Sequence, residues 1–451
     1  MELHERARGE VHERLAETYG ADPARWSGLG PSLAFDTLAA YLDHPVYPTA
    51  RGRSGLTVSH LTAYAPEFHP SFELRWLAVP AGELDTHGAG PLPDWWPSAR
   101  RLGVHGAYAT IPVHPLTVGH LPDLPGAVLA EEPYLRVLPT LSMRTVAVAH
   151  DPSVHLKLPL ATATLGQRNR RTIKPGTLTD GAAGQLLLQA VLEREPRLAA
   201  RILHADEQCH AQAAGEELLA VLLRRYPAGL DEAVTVPLAA LLAPAPGGRL
   251  VVDHLADRFH GGSVLDLYRE LVELLLDWQT TLFGYGIALE SHQQNTSLVL
   301  DTVEGRTRLR LLYKDNDGPR INTARLGELA PYRALFDDRR IFGDQDRPLT
   351  DLFTTITGHL CTAALAFGLA EHGRAPLERA LGLLREALTE AVDRLGPAGA
   401  ALRADLLDAE RLPVKAMVTA GTLLSKERSG AADINKHYTD GPNYLRRAGT
   451  S

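Results

Sequence analysis

The chain has 451 residues, 45% of them hydrophobic, and a formal net charge of −8. That length suffices for a large buried core in two or three subdomains, and the acidic balance excludes a general nucleic-acid binder, which needs a basic surface to release counterions. Two isolated cysteines, Cys209 and Cys361, exclude a disulfide framework and a cysteine-ligated metal or iron–sulfur site.

In chain order, Met1-Glu-Leu-His-Glu-Arg6 is a charged amphipathic start rather than a signal peptide. No apolar run reaches the roughly 18–20 residues that span a bilayer, so the chain reads as cytoplasmic with no membrane partner. Residues 1–20 read as a helix, and Asp36–Leu42 as a short helix before His44-Pro45. Residues 56–160 read mostly as strand: Phe72–Val79, Thr145–Val148 and Val154–Leu158 alternate, with frequent Pro and Gly between them. From about 182, helical spacing takes over at Gln185–Glu195, Glu207–Arg225 and Val264–Thr281. A strand pair over 287–313 interrupts it, and helices resume at Leu349–Leu369, Leu377–Leu395 and Ala400–Leu407. The fold class is α+β, with a short N-terminal helical segment (1–40), a β-rich front half (41–205) and a helix-rich back half around a small sheet (206–451).

Residues 286–318 carry the strongest chemical signal. Glu290, His292, Gln294 and Asn295 crowd ahead of an apolar strand, and a second strand ends at Asp315. A turn at Glu304-Gly305 returns Asp315 towards Asn295. Two carboxylates and an amide oxygen at one mouth make a hard oxygen site, the kind Mg²⁺ prefers, with phosphate oxygens completing its shell. The plainer alternative is a turn with side-chain caps, and Asp317 in Lys314-Asp-Asn-Asp-Gly318 competes with Asp315 for the metal role.

Residues 133–179 are a basic stretch in an acidic chain: Arg136, Arg144, Lys157, Arg168, Arg170, Arg171 and Lys174 stand against a single acid, Asp151. Guanidinium forks, an ammonium and hydroxyls are what a polyphosphate requires. Ser142 and Arg144, two apart, share a face if their segment is a strand, and Thr164 and Arg168 follow. A solvated basic face is the plain reading of such a run. Lys157 between leucines resists it, because a lysine on an apolar strand either snorkels or meets an anion. His44, held between X-Pro steps and followed by Arg51 and Arg53, suits a stiff loop presenting a histidine and two arginines to an anion; taken alone, His44 and His114 are ordinary loop histidines.

Together these pieces resemble the NRPS-independent siderophore synthetases, the aerobactin synthetase (IucA/IucC) family. The resemblance rests on His44-Pro-Val-Tyr-Pro48 with Arg51 and Arg53, Pro139-Thr-Leu-Ser-Met-Arg-Thr145, Lys157-Leu-Pro159, Thr164 to Arg168, Glu290-Ser-His-Gln-Gln-Asn295 and Lys314-Asp-Asn-Asp-Gly318, in that order. Leu412-Pro-Val-Lys-Ala-Met417 and Pro442-Asn-Tyr-Leu445 resemble the closing segments. The chain departs from the family pattern at Tyr47 (His in the family), Lys314 (Arg) and Tyr444 (Pro), and it is short ahead of His44. These departures bear on the N-terminal part and the carboxylate substrate and leave the nucleotide machinery nearly intact.

The resemblance implies a hand-like architecture: residues 1–40 as thumb, 41–205 as fingers, 206–451 as palm, and an active-site cleft between front and back. It implies an ATP-dependent ligase that adenylates a citrate-type or other di- or tricarboxylate, releases pyrophosphate, and condenses the acyl group with an amine or alcohol in siderophore biosynthesis. Ser142, Arg144, Lys157 and Arg168 are assigned to the phosphates with His44 and Thr164 assisting. Glu290, Asn295 and Asp315 are assigned to Mg²⁺ with Gln294 in support. His292, Arg168 and Lys415 are assigned to the carboxylate substrate. A homodimer is a family-level expectation. One rival is a kinase-like phosphotransferase, although no Asp precedes Asn295 at the kinase spacing. The others are a siderophore- or iron-handling protein, for which two isolated cysteines cannot ligate a cluster, and a degenerate, inactive synthetase.

Overall fold

The structure, a computed structural model, describes residues 2–42, 52–88, 92–164, 170–416 and 437–446. The helix Glu2–Tyr19 buries Val11 and Leu15, one turn apart, in the main core. The next helix, Leu29–Ala39, begins well before the expected Asp36. Pro31 does not prevent this, because in the first helical turn its missing N–H has no intrahelical partner to lose.

Seven antiparallel strands form a front sheet in the order Phe72–Glu73, Arg136–Pro139, Thr145–Val148, Asp151–Lys157, Ala220–Arg225, Asp206–Ala213 and Leu84–His87. One face packs Val146, Leu156, Val221 and Leu223 into a core shared with Trp76 and Ile111 of a three-stranded sheet. Side chains alternate along a strand, so Lys157, Leu222 and Arg224 point from the opposite face.

Residues 207–225 are therefore not a helix, as their spacing suggested. They are two strands joined at Ala214-Gly215, both with positive φ (50° and 66°). Ala220–Arg225 is buried on both faces over most of its length. Such a strand is a continuous apolar run, which spacing alone cannot tell from a buried helix. The front sheet accordingly extends past residue 205 to Arg225.

The back half holds a four-stranded sheet: Val234–Pro237, Thr296–Val303, Arg306–Tyr313 and Ile202–His204. The expected hairpin is present, with Thr296 opposite Tyr313 and Val303 opposite Arg306. Glu304 and Gly305 take φ of 51° and 75°, the left-handed pair that suits twisted strands. The helices Thr177–Arg194, Val264–Gly284 and Leu377–Arg394 pack in the main core. So does the helix Arg347–Glu371, which loosens to π geometry over Phe353–Ala363. By length and composition this 25-residue helix is long and apolar enough to cross a membrane, contrary to the expectation from sequence. Its apolar window is 67% buried inside the protein, the position of a core helix. A hairpin of Arg411–Lys415 and Tyr438–Pro442 completes a mixed α and β fold.

Candidate functional site

The segment 290–295 folds into tight turns ahead of the hairpin. The amides of His292 and Asn295 donate to the carbonyls of Glu290 and His292, both at 2.9 Å, and Asn295 Nδ2 donates to the Glu290 carbonyl at 3.1 Å. Asn295 thus commits its amide nitrogen to the Glu290 carbonyl, so its oxygen is the side-chain atom that could serve a cation. The Gln294 amide donates to His292 Nδ1 at 3.2 Å, so the neutral ring carries its proton on Nε2. His292 and Gln294 are both buried. Across the hairpin mouth the Lys314 amide donates to the Asn295 carbonyl at 3.1 Å, bringing Asp315 to this end as expected. A Cβ added at Gly318 would lie 3.5 Å from Glu290 Cδ, so the glutamate side chain rests against the 315–318 turn.

Lys157 reaches the same turn from the front sheet. It is buried between Thr145 and Leu222 on neighbouring strands. Its Nζ meets Asp315 Oδ1 at 2.5 Å and Asp317 Oδ2 at 3.2 Å. The two aspartates that competed for the metal role are therefore both at the lysine. Two residues of the misread 207–225 segment join them. Arg224 Nη2 pairs with Asp315 Oδ1 at 2.8 Å, and Arg224 Nε donates to Glu207 Oε1 at 2.5 Å. Asp315 is in the left-handed region (φ 58°), and its amide donates to both Glu207 oxygens, at 2.9 and 3.0 Å. Burial alone would raise the Asp315 pKa; Arg224 and then Lys157 outweigh it and hold the carboxyl well below the usual carboxylate range. Among the described residues no group of three or more His, Cys, Asp or Glu gathers at metal spacing. The expected set has only two such residues, with an amide as third. Its donor atoms are of the oxygen type a hard cation takes: the Glu290 carboxylate, Asn295 Oδ1 and, since Lys157 and Arg224 both sit on Oδ1, Asp315 Oδ2.

Lys314, in the place of the family arginine, is buried. Burial opposes its charge, but Tyr226 and Asp36 keep its pKa raised. Asp36 in turn is raised by burial against the pull of Lys314.

Ser142 and Arg144 do not share a strand face. They lie in a tight turn before Thr145–Val148, with Met143 at φ 64°. Ser142 Oγ accepts from the Thr145 amide at 3.1 Å. Arg144 Nη1 donates to the carbonyls of Thr172 (3.1 Å) and Arg171 (3.4 Å), which draws residues 171–172 beside the turn. Thr164 follows Thr162 and Ala163, which hold Ser54: Thr162 Oγ1 donates to the Ser54 carbonyl at 2.8 Å, and the Ser54 amide to the Ala163 carbonyl at 3.0 Å. A cavity of about 270 Å³ opens there between Leu56, Leu116, His120, Thr162 and Arg170. Arg136, Arg170 and Lys174 are exposed, the plain solvated face. His44 and Arg168 lie outside the described residues.

Two histidine-loop expectations are corrected. Arg53 is committed to an internal carboxylate rather than presented to a ligand anion: Nη1 and Nη2 donate to the two oxygens of fully buried Glu67, at 2.6 and 3.2 Å. His114 is a core residue, its Nδ1 accepting from the Leu116 amide at 3.1 Å and its pKa pushed down to about 3 by burial.

Lys415 ends the strand Arg411–Lys415 opposite Tyr438. Tyr438 was not singled out from sequence. Its hydroxyl is pushed up to about 12 by burial and then by the charge of Asp351, with a smaller push from Glu290. His359 anchors this hairpin, Nε2 donating to the Pro413 carbonyl at 2.8 Å and Nδ1 accepting from Tyr444 at 2.7 Å. Asn443 caps a helix end, its Nδ2 donating to the carbonyls of Leu406 (2.7 Å) and Ala409 (2.8 Å).

Residues 32–243 match the IucA / IucC family, and residues 269–429 match the ferric iron reductase FhuF-like transporter family. The second stretch contains one cysteine, Cys361, a buried thiol pushed up to about 12 by burial. Staphyloferrin A synthase of Staphylococcus aureus is 25% identical over 307 residues, 62% of this chain and 51% of that protein; the chain spans about half the length of this relative. The L-2,3-diaminopropanoate–citrate ligase of the same organism is 31% identical over 136 residues, 27% of this chain and 23% of the ligase. In fold, the chain superposes on the ATP-bound aerobactin synthetase IucA from a hypervirulent pathotype of Klebsiella pneumoniae with a TM-score of 0.73 at 18% identity, covering 98% of this chain and 81% of that one. The resemblance carried by the motifs is thus met by the comparisons: residues 32–243, just under half of the chain, match the IucA / IucC family.

Proposed function

We propose that the chain is an ATP-dependent, AMP-forming ligase that joins a citrate-type or other polycarboxylic acid to an amine or alcohol in siderophore biosynthesis. The observation that carries this is the meeting of Lys157 with Asp315 at 2.5 Å. A lysine chosen for phosphates and an aspartate chosen for the metal, 158 positions apart, come to one place. The relatives named synthase and citrate ligase support the same reading. An ATP-bound synthetase with the same fold supports ATP as co-substrate.

In this reading the front half forms the fingers, the back half the palm and residues 1–40 the thumb, with the cleft along the Lys157–Asp315 contact. A carboxylate oxygen of the substrate attacks the α-phosphorus of ATP, and the bond to pyrophosphate breaks. Two anions approach each other in that step, so cations must offset the repulsion. Lys157, Arg144 and Arg168 supply them, with Ser142, Thr164 and His44 donating to phosphate oxygens. Glu290, Asn295 and Asp315 would hold Mg²⁺, steadied by Gln294; the ion would draw charge from the phosphate oxygens. His292 presents Nε2–H to the substrate carboxylate, and Lys415 approaches from the C-terminal hairpin. The amine or alcohol then attacks the acyl carbon, AMP leaves, and the nucleophile's proton passes to solvent. Positioning rather than acid–base chemistry supplies most of the rate. A cytoplasmic enzyme acting as a homodimer on small molecules completes the proposal.

The test is a release assay over di- and tricarboxylates paired with diamines, hydroxylated amines and amino acids. Pyrophosphate and AMP in equal amounts, dependent on both partners, are expected. ADP with a phosphorylated product would replace the proposal with the kinase-like reading.

A further inference from the structure

Glu207 touches neither the phosphate wall nor the oxygens assigned to the metal, yet its carboxylate accepts from Arg224 and from the amides of Asp315 and Asn316. It is 2% exposed and sits on Asp206–Ala213, the strand next to that of Arg224. Arg224 Nε donates to Oε1 at 2.5 Å. The Asp315 amide donates to Oε1 at 2.9 Å and Oε2 at 3.0 Å, and the Asn316 amide to Oε2 at 3.4 Å. The Glu207 amide is itself fixed, donating to Gln185 Oε1 of the helix Thr177–Arg194 at 2.6 Å.

Two successive N–H groups aimed at one carboxylate form a small anion-binding nest, which forms where a residue takes the left-handed conformation. Asp315 is that residue (φ 58°), in a region that carries a steric cost for a non-glycine residue. The carboxylate of Glu207 offsets that cost. The same carboxylate aims Arg224, whose Nη2 meets the Asp315 side chain at 2.8 Å. Backbone and side chain of Asp315 are therefore both set by one pair. A buried ion pair adds little stability over an apolar pair of the same size, so the gain from Glu207–Arg224 is geometric.

We propose that Glu207 is the positioning residue of this site: through the nest and Arg224 it holds Asp315 in the pose that binds the metal–nucleotide complex. The inference rests on the role given to Asp315 above. Helical spacing concealed it, because Glu207 and Arg224 fall in the segment misread as a helix.

The probe is Mn²⁺, followed by its electron paramagnetic resonance signal with and without ATP, alongside pyrophosphate exchange and melting curves. Glu207→Gln keeps the shape and removes the charge. Its Mn²⁺ affinity is expected to fall about 10- to 100-fold, the usual loss when an outer-shell partner is removed. Exchange should fall while the KM for the amine is unchanged. The paired variant Glu207→Leu with Arg224→Met removes the charges in apolar form and is expected to stay folded, yet bind Mn²⁺ as weakly; it decides the matter should Glu207→Gln not fold. Wild-type Mn²⁺ affinity in either folded variant overturns the inference. Asp315→Ala runs in parallel. If it loses Mn²⁺ while Glu207→Gln keeps it, this inference alone is overturned. If Asp315→Ala also keeps it, the role of Asp315 falls and the inference with it.

Discussion

Gly184 lies on the helix Thr177–Arg194, where it backs directly onto the site turn. A Cβ there would stand 2.6 Å from the Asn316 carbonyl oxygen, a backbone atom of the turn carrying Asp315 and Asp317. Ordinary contact begins near 3.4 Å, so in Gly184→Ala helix and turn must part by about 0.8 Å. Two terms then oppose each other in stability. Alanine is favoured over glycine in a helix by about 1 kcal/mol, and overpacking costs about 1–3 kcal/mol. The net change is a loss of about 0–2 kcal/mol, and the protein should stay folded. Function has no such offset, since a misplacement near 1 Å can cost about 100-fold in rate. Gly184→Ala is therefore expected to lose pyrophosphate exchange far beyond its loss of stability, with melting curves and exchange measured on the same sample. Gly382→Ala is the control: it is also helical, with nothing within 4 Å of its added Cβ, and should gain up to about 1 kcal/mol at unchanged activity. Full activity in Gly184→Ala, or loss that only follows the unfolded fraction, would refute the reasoning.

Arg53→Met strands the fully buried Glu67 carboxylate and is expected to cost about 3–5 kcal/mol, read as a fall in denaturant midpoint; a neutral result would contradict the buried pair. Stability should also fall on acidification. His114 and His204 have pKa values pushed down to about 3 and about 4 by burial. Unfolded histidine titrates near 6.5, so below about pH 6.5 the unfolded chain takes protons that the folded one refuses. That loss accumulates from about pH 6.5 down to about pH 4 for His204 and about pH 3 for His114, and His204→Leu should reduce it in denaturation midpoints measured across the range. Asp315 acts lower: its depressed carboxyl stabilises the fold above the unfolded value of about 3.9, and the contribution is lost as pH falls below it. His359→Leu removes the two contacts that anchor the C-terminal hairpin. Amide exchange at Leu412–Lys415 should quicken while the helix Val264–Gly284 stays protected.

The central hairpin was legible because its information is local. Two apolar runs, a Glu-Gly turn and a polar cluster lie within one stretch, and turn chemistry sets the register that brings Asp315 to Asn295. Lys157 was legible for a related reason, since an ammonium in an apolar strand needs an anion wherever the strand goes. Residues 207–225 were not. A strand buried on both faces has lost the alternation that marks strands, and its place is decided by pairing with Asp151–Lys157 on one side and Asp206–Ala213 on the other.

The chain's own order thus specified which residue types the chemistry would use and the two segments that carry them. Their partners were a matter of three-dimensional packing. Lys157 meets Asp315 across 158 positions, and Glu207 cradles the turn across 108. A spacing rule reaches only as far as one helix or one hairpin. Contacts of that sequence separation form because a buried charge is costly unless it is paired, and only the packed sheet and helix bring Arg224, Lys157 and Glu207 within reach of the turn.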